Sequence, residues 1–186
     1  SGAPELVRKR VVEDMNKSYF PVKTIIPSTE IVHDRVMLEL FRGCIRGCRF
    51  CQAGYVYRPV RSRDPKQLAE YGKAACEDSG YQEMTLSSLS STDYPCLLEL
   101  CDDLLDYCAP RDIGLSLPSL RADTFSMNLM ERLQRVRKGG LTFAPEAGTQ
   151  RLRDAINKNL REEDLMQSVR TAFAGGWSGV KLYFML

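Results

Sequence analysis

Five short apolar runs, VMLEL (36–40), EMTLSSL (83–89), GLSLP (114–118), LTFAP (141–145) and GVKLYFML (179–186), alternate with stretches whose apolar residues recur at three and four. Repeated strand–helix–strand order of this kind leads to a parallel sheet with right-handed crossovers. Strands of such sheets are normally apolar on both faces. Here Glu39, Thr85, Ser87, Ser116, Thr142, Lys181 and Tyr183 interrupt the runs at alternating positions. One face is therefore polar, which suits an α/β barrel whose lumen holds a hydrophilic ligand. A doubly wound open sheet is the alternative architecture.

The clearest helix follows Asp93, where Leu97, Leu98, Cys101, Leu104, Leu105 and Cys108 form one stripe, with Asp93 as the expected cap and Pro95 in the first turn. Leu68, Tyr71, Ala75 and Cys76 mark an earlier helix, and Phe125, Leu129, Leu133 and Val136 a later one. Leu152 and Ile156 suggest a short helix; Leu165, Val169, Ala172 and Phe173 suggest another. Gly80, Gly139-Gly140 and Gly175-Gly176 stand where helices should stop. Residues 1–35, with Pro4, Pro21, Pro27 and a basic VRKRVV segment, read as a leader or linker ahead of a core spanning 36–186.

The 186 residues, 44% apolar and 27% charged, are those of an ordinary globular domain. No run of eighteen apolar residues predicts a membrane span, and SGAPELVRKRVVEDM lacks the apolar stretch of a secretory signal. Seven cysteines without such a signal point to a reducing, cytoplasmic setting. Net charge is only +2, yet residues 42 to 63 carry Arg42, Arg46, Arg49, Arg58, Arg61 and Arg63 with no acid. That stretch is expected to favour anions.

The run F-R-G-C-I-R-G-C-R-F-C-Q-A-G sets Cys44, Cys48 and Cys51 directly after the first strand. Offsets of four and seven also describe one face of a helix, and buried cysteine is common. Gly43 and Gly47 argue against a helix, since each glycine costs one about 1 kcal/mol relative to alanine. A glycine-loosened loop can instead wrap three thiolates around one cluster. A structural zinc asks for four ligands, and the lone His33, eleven residues upstream, reads as structural rather than as the fourth. An electron-transfer [4Fe–4S] centre also wants four cysteines. Three leave one iron open.

C-x-x-x-C-x-x-C after a first strand, with an aromatic residue before the third cysteine, resembles the signature of the radical SAM superfamily. LSSLSSTDYP, LSLPSLRAD, LTFAPEAGTQRLRDAINK and GVKLYFML resemble, more narrowly, one bacterial radical SAM family of undefined function in the methylthiotransferase and elongator branch. Its full-length members carry a cobalamin-binding-like region upstream, of which this chain shows nothing. The resemblance implies a partial parallel (β/α) barrel of the TIM type, present here as about five of six strand units. It implies an enzyme with a [4Fe–4S] cluster on Cys44, Cys48 and Cys51 that cleaves S-adenosylmethionine to a 5′-deoxyadenosyl radical. The radical would abstract hydrogen from a substrate, an RNA or a protein. A flavodoxin- or ferredoxin-type partner would supply electrons.

By position the resemblance gives Phe50 to the adenine, and the backbone at Ser87 and Ser88 to the ligand's ammonium. It gives Glu146 to the ribose or methionine end, with Ser116, Ser119 and Arg121 as weaker candidates. Cys76, Cys101 and Cys108 fall on apolar stripes and read as core; Cys96 reads as structural, and Met127, Met130 and Met166 as packing. The competing function is a nucleic-acid-binding iron–sulfur module, with the arginines on phosphate and Phe50, Tyr55 and Tyr57 open to base stacking. A redox sensor is disfavoured by the missing fourth ligand. The last run, GVKLYFML, is expected to pair with a second copy of itself or to lie under the leader, because an unpaired strand exposes backbone donors and acceptors.

Overall fold

The computed structural model of the protein describes residue 2, residues 4–136 and residues 140–186, so the expected stop at Gly139 lies outside the described residues. In chain order the elements are β1 (Val36–Glu39), β2 (Phe41–Arg42), α1 (Ala53–Val56), β3 (Arg61–Ser62), α2 (Pro65–Ser79), β4 (Glu83–Ser87), α3 (Leu97–Cys108), β5 (Gly114–Ser116), α4 (Met127–Leu133), β6 (Leu141–Glu146), α5 (Gln150–Ala155), α6 (Glu162–Ala174) and β7 (Val180–Phe184). All five apolar runs contain strands. The order β1-β4-β5 is parallel, with Leu38 opposite Leu86 and Met84 opposite Leu115. β6 and β7 pair in parallel as a second ladder, Phe143 opposite Leu182. No ladder joins β5 to β6 among the described residues, but both ladders share one core. Leu38, Met84, Leu86, Leu115 and Phe143 face Leu68, Leu104, Leu129 and Ala172 of the helices, and Phe125 meets Phe143 edge-on at 5.4 Å. Of the polar alternates, Glu39, Ser87, Ser116, Thr142 and Tyr183 line cavities, while Thr85 is buried and Lys181 is exposed. The arrangement is the arc of a partial (β/α) barrel of the TIM type.

Local chemistry explains the helix ends. Pro65 opens α2 behind Asp64, whose carboxylate accepts from the amides of Lys66 (2.9 Å) and Gln67 (3.2 Å), and Gly80 closes it at φ 73°. For α3 the expectation was wrong in two details. Asp93 belongs to a preceding 3-10 turn, Ser91–Asp93, and does not cap the helix; Cys96 occupies that position. The buried stripe runs through Leu100, while Leu98 is 37% exposed. With 3.6 residues per turn, Leu98 sits about 100° off the line through 97, 101 and 104. Met127, Met166, Leu152 and Phe173 are likewise exposed, whereas Met130 is core.

Burial raises the thiol of Cys101 to about 12 and those of Cys76 and Cys108 to about 11, as core cysteines require. A thiol held neutral in the fold contributes stability that is complete below the unfolded value of about 8.5 and is lost as pH rises through the folded values. Urea midpoints should therefore fall steadily from about pH 8.5 upward, and Cys101→Ala should flatten that slope.

The leader does not cover β7. Met15 is buried, and the buried guanidinium of Arg63 donates to its carbonyl (2.7 Å) and to Ser18 Oγ (2.8 Å). Phe20 stacks on Tyr71 at 4.7 Å, and Lys9 Nζ donates to the carbonyls of Val56 (2.6 Å) and Arg58 (2.5 Å). These contacts tie the leader to α2 and to the β2–β3 region, and leave Tyr183, Phe184 and Met185 exposed. Among the described residues no helix is long and apolar enough to cross a membrane.

Candidate active site

The cysteine loop is built from a short hairpin that sequence patterning did not disclose. The amide of Leu40 donates to Ser87 O (2.9 Å); the chain then turns so that Phe41 and Arg42 pair antiparallel with Ser62 and Arg61. Residues 43–60 are held between these two strands. Gly43, at φ 97°, begins the loop where a Cβ would stand 2.7 Å from Tyr57 O and 2.9 Å from Pro59 O, so only glycine fits. Cys44 and Cys48 are each 8% exposed, Cys51 is half-buried, and all three are free thiols. The amide of Cys51 donates to Cys48 O (3.1 Å) and that of Arg46 to Cys44 Sγ (3.4 Å).

A distant segment fastens the loop. The amide of Arg49 donates to Ile156 O (2.9 Å), its guanidinium to Ala155 O, and Asn157 Nδ2 to Gly47 O (2.7 Å). Asn157 reaches it from a left-handed backbone, φ 54°, a conformation asparagine tolerates better than most residues.

The three cysteines, Phe50 and Glu146 line one cavity of about 310 Å³, together with Ser119, Arg121, Thr142, Lys158 and Tyr183. It opens at the C-terminal ends of the strands, where barrel enzymes place their chemistry. A β-bulge between Phe143 and Glu146 redirects the end of β6, and Glu146 takes φ 68°. Lys158 Nζ lies 3.5 Å from Glu146 Oε1 and 5.9 Å from the centre of the Phe50 ring. His33 is exposed and does not line the cavity.

Three expected residues lie elsewhere. Ser87 and Ser88 line a neighbouring cavity with Glu39 and Arg42; Ser87 O accepts from Leu40, and Ser88 Oγ is 3.0 Å from Ser91 Oγ. Ser116 Oγ is 2.8 Å from Thr85 Oγ1 and lines a third cavity that shares Thr142 and Tyr183 with the first. Lys158 and Arg46 line the first cavity as well; Lys158 was not foreseen from the sequence, and Arg46 only as one of six arginines in an anion-favouring stretch.

Most of the arginine-rich stretch serves the protein itself. Arg42 clasps Glu39 (2.8 and 2.7 Å), Arg61 donates to three backbone carbonyls, and Arg63 is buried on the leader. Arg46 donates from Nε and Nη2 to Asp93, and its Nη1 lies 3.7 Å from Asp123, which Arg121 clasps at 2.9 Å twice. The hydrogen bond with Asp93 raises Arg46 above its usual value. Burial pushes the Asp93 carboxyl up, but the hydrogen bonds from Arg46 and the nearby guanidinium charges outweigh it and leave it below the usual carboxylate range. Arg49 and Arg58 remain exposed, a smaller anionic footprint than the sequence suggested.

No three metal-ligating side chains among the described residues converge as ligands of a single ion would. Residues 38–186 match the Radical SAM superfamily. The chain belongs to that superfamily. It is 39% identical over 150 residues to an uncharacterized protein of Methanocaldococcus jannaschii, covering 81% of this chain and 32% of that one. It is 25% identical over 107 residues to the threonylcarbamoyladenosine tRNA methylthiotransferase of Bacillus subtilis, covering 58% of this chain and 20% of the enzyme. The chain thus spans a third or less of the length of these curated relatives. Among solved structures, the radical S-adenosylmethionine methyltransferase TsrM from Kitasatospora setae shares the fold, with TM-score 0.65 and 12% identity over 80% of this chain and 30% of that chain. Radical SAM enzymes use a [4Fe–4S] cluster and S-adenosylmethionine, and the matched region here runs from within β1 through β7.

Proposed function

We propose that Cys44, Cys48 and Cys51 hold a [4Fe–4S] cluster with one open iron, and that the chain uses it to cleave S-adenosylmethionine and draw a hydrogen atom from an RNA or protein substrate. The observation that carries this is the convergence of three free thiols, Phe50 and Glu146 on one cavity at the strand ends. The donor set fits: thiolates are the usual ligands of such clusters, and three rather than four leave a coordination position for a ligand. When bound, the cluster supplies an electron to the sulfonium, and S-adenosylmethionine supplies the radical.

The protein's own part is to bind, orient and exclude water. Phe50, 42% exposed beside the third cysteine, offers an apolar face to an adenine. Glu146, lining the same cavity, would accept hydrogen bonds from ribose hydroxyls, with Lys158 Nζ 3.5 Å from its carboxylate as a charge partner. Leu89, Pro118 and Leu120 wall the cavity and limit solvent around the reacting bond.

Reconstituted without oxygen and reduced with dithionite, the chain should convert S-adenosylmethionine to methionine and 5′-deoxyadenosine in equal amounts. The variant lacking all three loop cysteines should yield neither. A cluster-bearing protein that gives no product but binds RNA with a steep salt dependence would sink this reading in favour of the iron–sulfur binding module.

A further inference from the structure

We propose that Arg46, held by Asp93 and Asp123, is a positioning residue that sets the cysteine loop in place before any cofactor arrives and keeps its own charge neutralised beside the cluster. This rests on the cluster assignment above. Arg46 stands midway between Cys44 and Cys48, so no movement of that stretch leaves it behind. Its guanidinium grips Asp93, whose side chain is only 9% exposed and which lies in the turn just after β4. Asp123 follows β5, and Arg121 fixes it while also reaching Lys158 O at 3.4 Å. The amide of Ser91 donates to Ser119 O (3.0 Å), joining the two strand-end loops to each other. Two arginines and two aspartates therefore lash the cysteine loop to the ends of β4 and β5 and to the segment that carries Asn157.

The same four groups sum to zero charge. That matters, because a nearby unneutralised cation stabilises the more negative, reduced form of a cluster and raises its potential. A cluster that must reduce a sulfonium needs a low one. Removing one member of a mostly buried ion pair leaves the other uncompensated. Asp93→Asn should thus both loosen the loop and expose the cluster to Arg46.

Two readouts test this on the intact chain. In apoprotein, amide hydrogen exchange over residues 44–51 should quicken about tenfold in Asp93→Asn, with α2 unchanged. In reconstituted protein, EPR-monitored titration should place the variant's midpoint potential above that of the parent. Arg46→Lys, which keeps the charge pairing but gives up the two-nitrogen grip on Asp93, should keep the potential near the parent while exchange over residues 44–51 still quickens. Exchange and potential unchanged in Asp93→Asn would overturn the proposal. So would exchange that quickens equally in α2, which is ordinary loss of stability. Parent protein that takes up no iron would defeat the cluster assignment and the charge-shielding half together, while apoprotein exchange still decides the positioning half.

Discussion

Anaerobic reconstitution should give the parent chain a brown iron–sulfur chromophore, and changing Cys44, Cys48 or Cys51 singly to alanine should abolish it. Cys101→Ala should leave it. The parent is expected to bind about four irons and four sulfides, and each loop variant less than one iron. Cys44, Cys48 and Cys51 line one cavity, and Cys76, Cys96, Cys101 and Cys108 do not, so a lost loop thiol has no substitute there. Cys101 lies in the apolar core with its thiol pushed up to about 12, which keeps it from serving as a thiolate. Iron and sulfide assays on the four variants check the ligand set. Loss of the cluster in Cys101→Ala, or its retention in a loop variant, would contradict it.

Gly43→Ala carries the other large effect. The new Cβ would press on two backbone oxygens, those of Tyr57 and Pro59, at a residue whose φ of 97° already disfavours any side chain. Neither oxygen belongs to a flexible group, so the β2–β3 hairpin must open or the loop must shift. A cost above about 2 kcal/mol is expected, together with a large loss of bound iron. Gly80→Ala is the control: its φ of 73° is also left-handed, but nothing lies within 4 Å of the added atom. That variant should lose about 1 kcal/mol and keep its iron. Urea unfolding of the two apoproteins, followed by iron assay, separates local strain from loss of the loop.

Much of this architecture is legible in the sequence, because the signals are local. Period-two patterning in five runs identifies the strands, and their polar alternates identify the face that lines the cavities. Gly43 and Gly47 among closely spaced cysteines mark the loop as a loop. The β2–β3 hairpin escapes such reading, since each strand is two residues long and shows no alternation. Asp93 was legible as a helix-capping residue by type, yet its charge is claimed by Arg46, 47 residues away. Asn157 and Lys158 were invisible for the same reason: each acts on residues remote in sequence, Gly47 and Glu146. The one local hint was I-N-K-N after a short helix, where asparagines suit left-handed backbone. Ser87, Ser88 and Ser116 illustrate the converse. Strand-end position places all three near the lumen, but it cannot tell that Ser116 bonds Thr85 or that Ser88 bonds Ser91.

The most direct test of an open iron at Cys44, Cys48 and Cys51 is the EPR spectrum of the dithionite-reduced protein, recorded before and after S-adenosylmethionine is added. Direct ligation of the ligand's amino and carboxylate groups should shift the g-values of the reduced cluster, and the shift should saturate as the ligand is titrated. A reduced [4Fe–4S] signal that stays identical at every ligand concentration would contradict an open iron in this cavity.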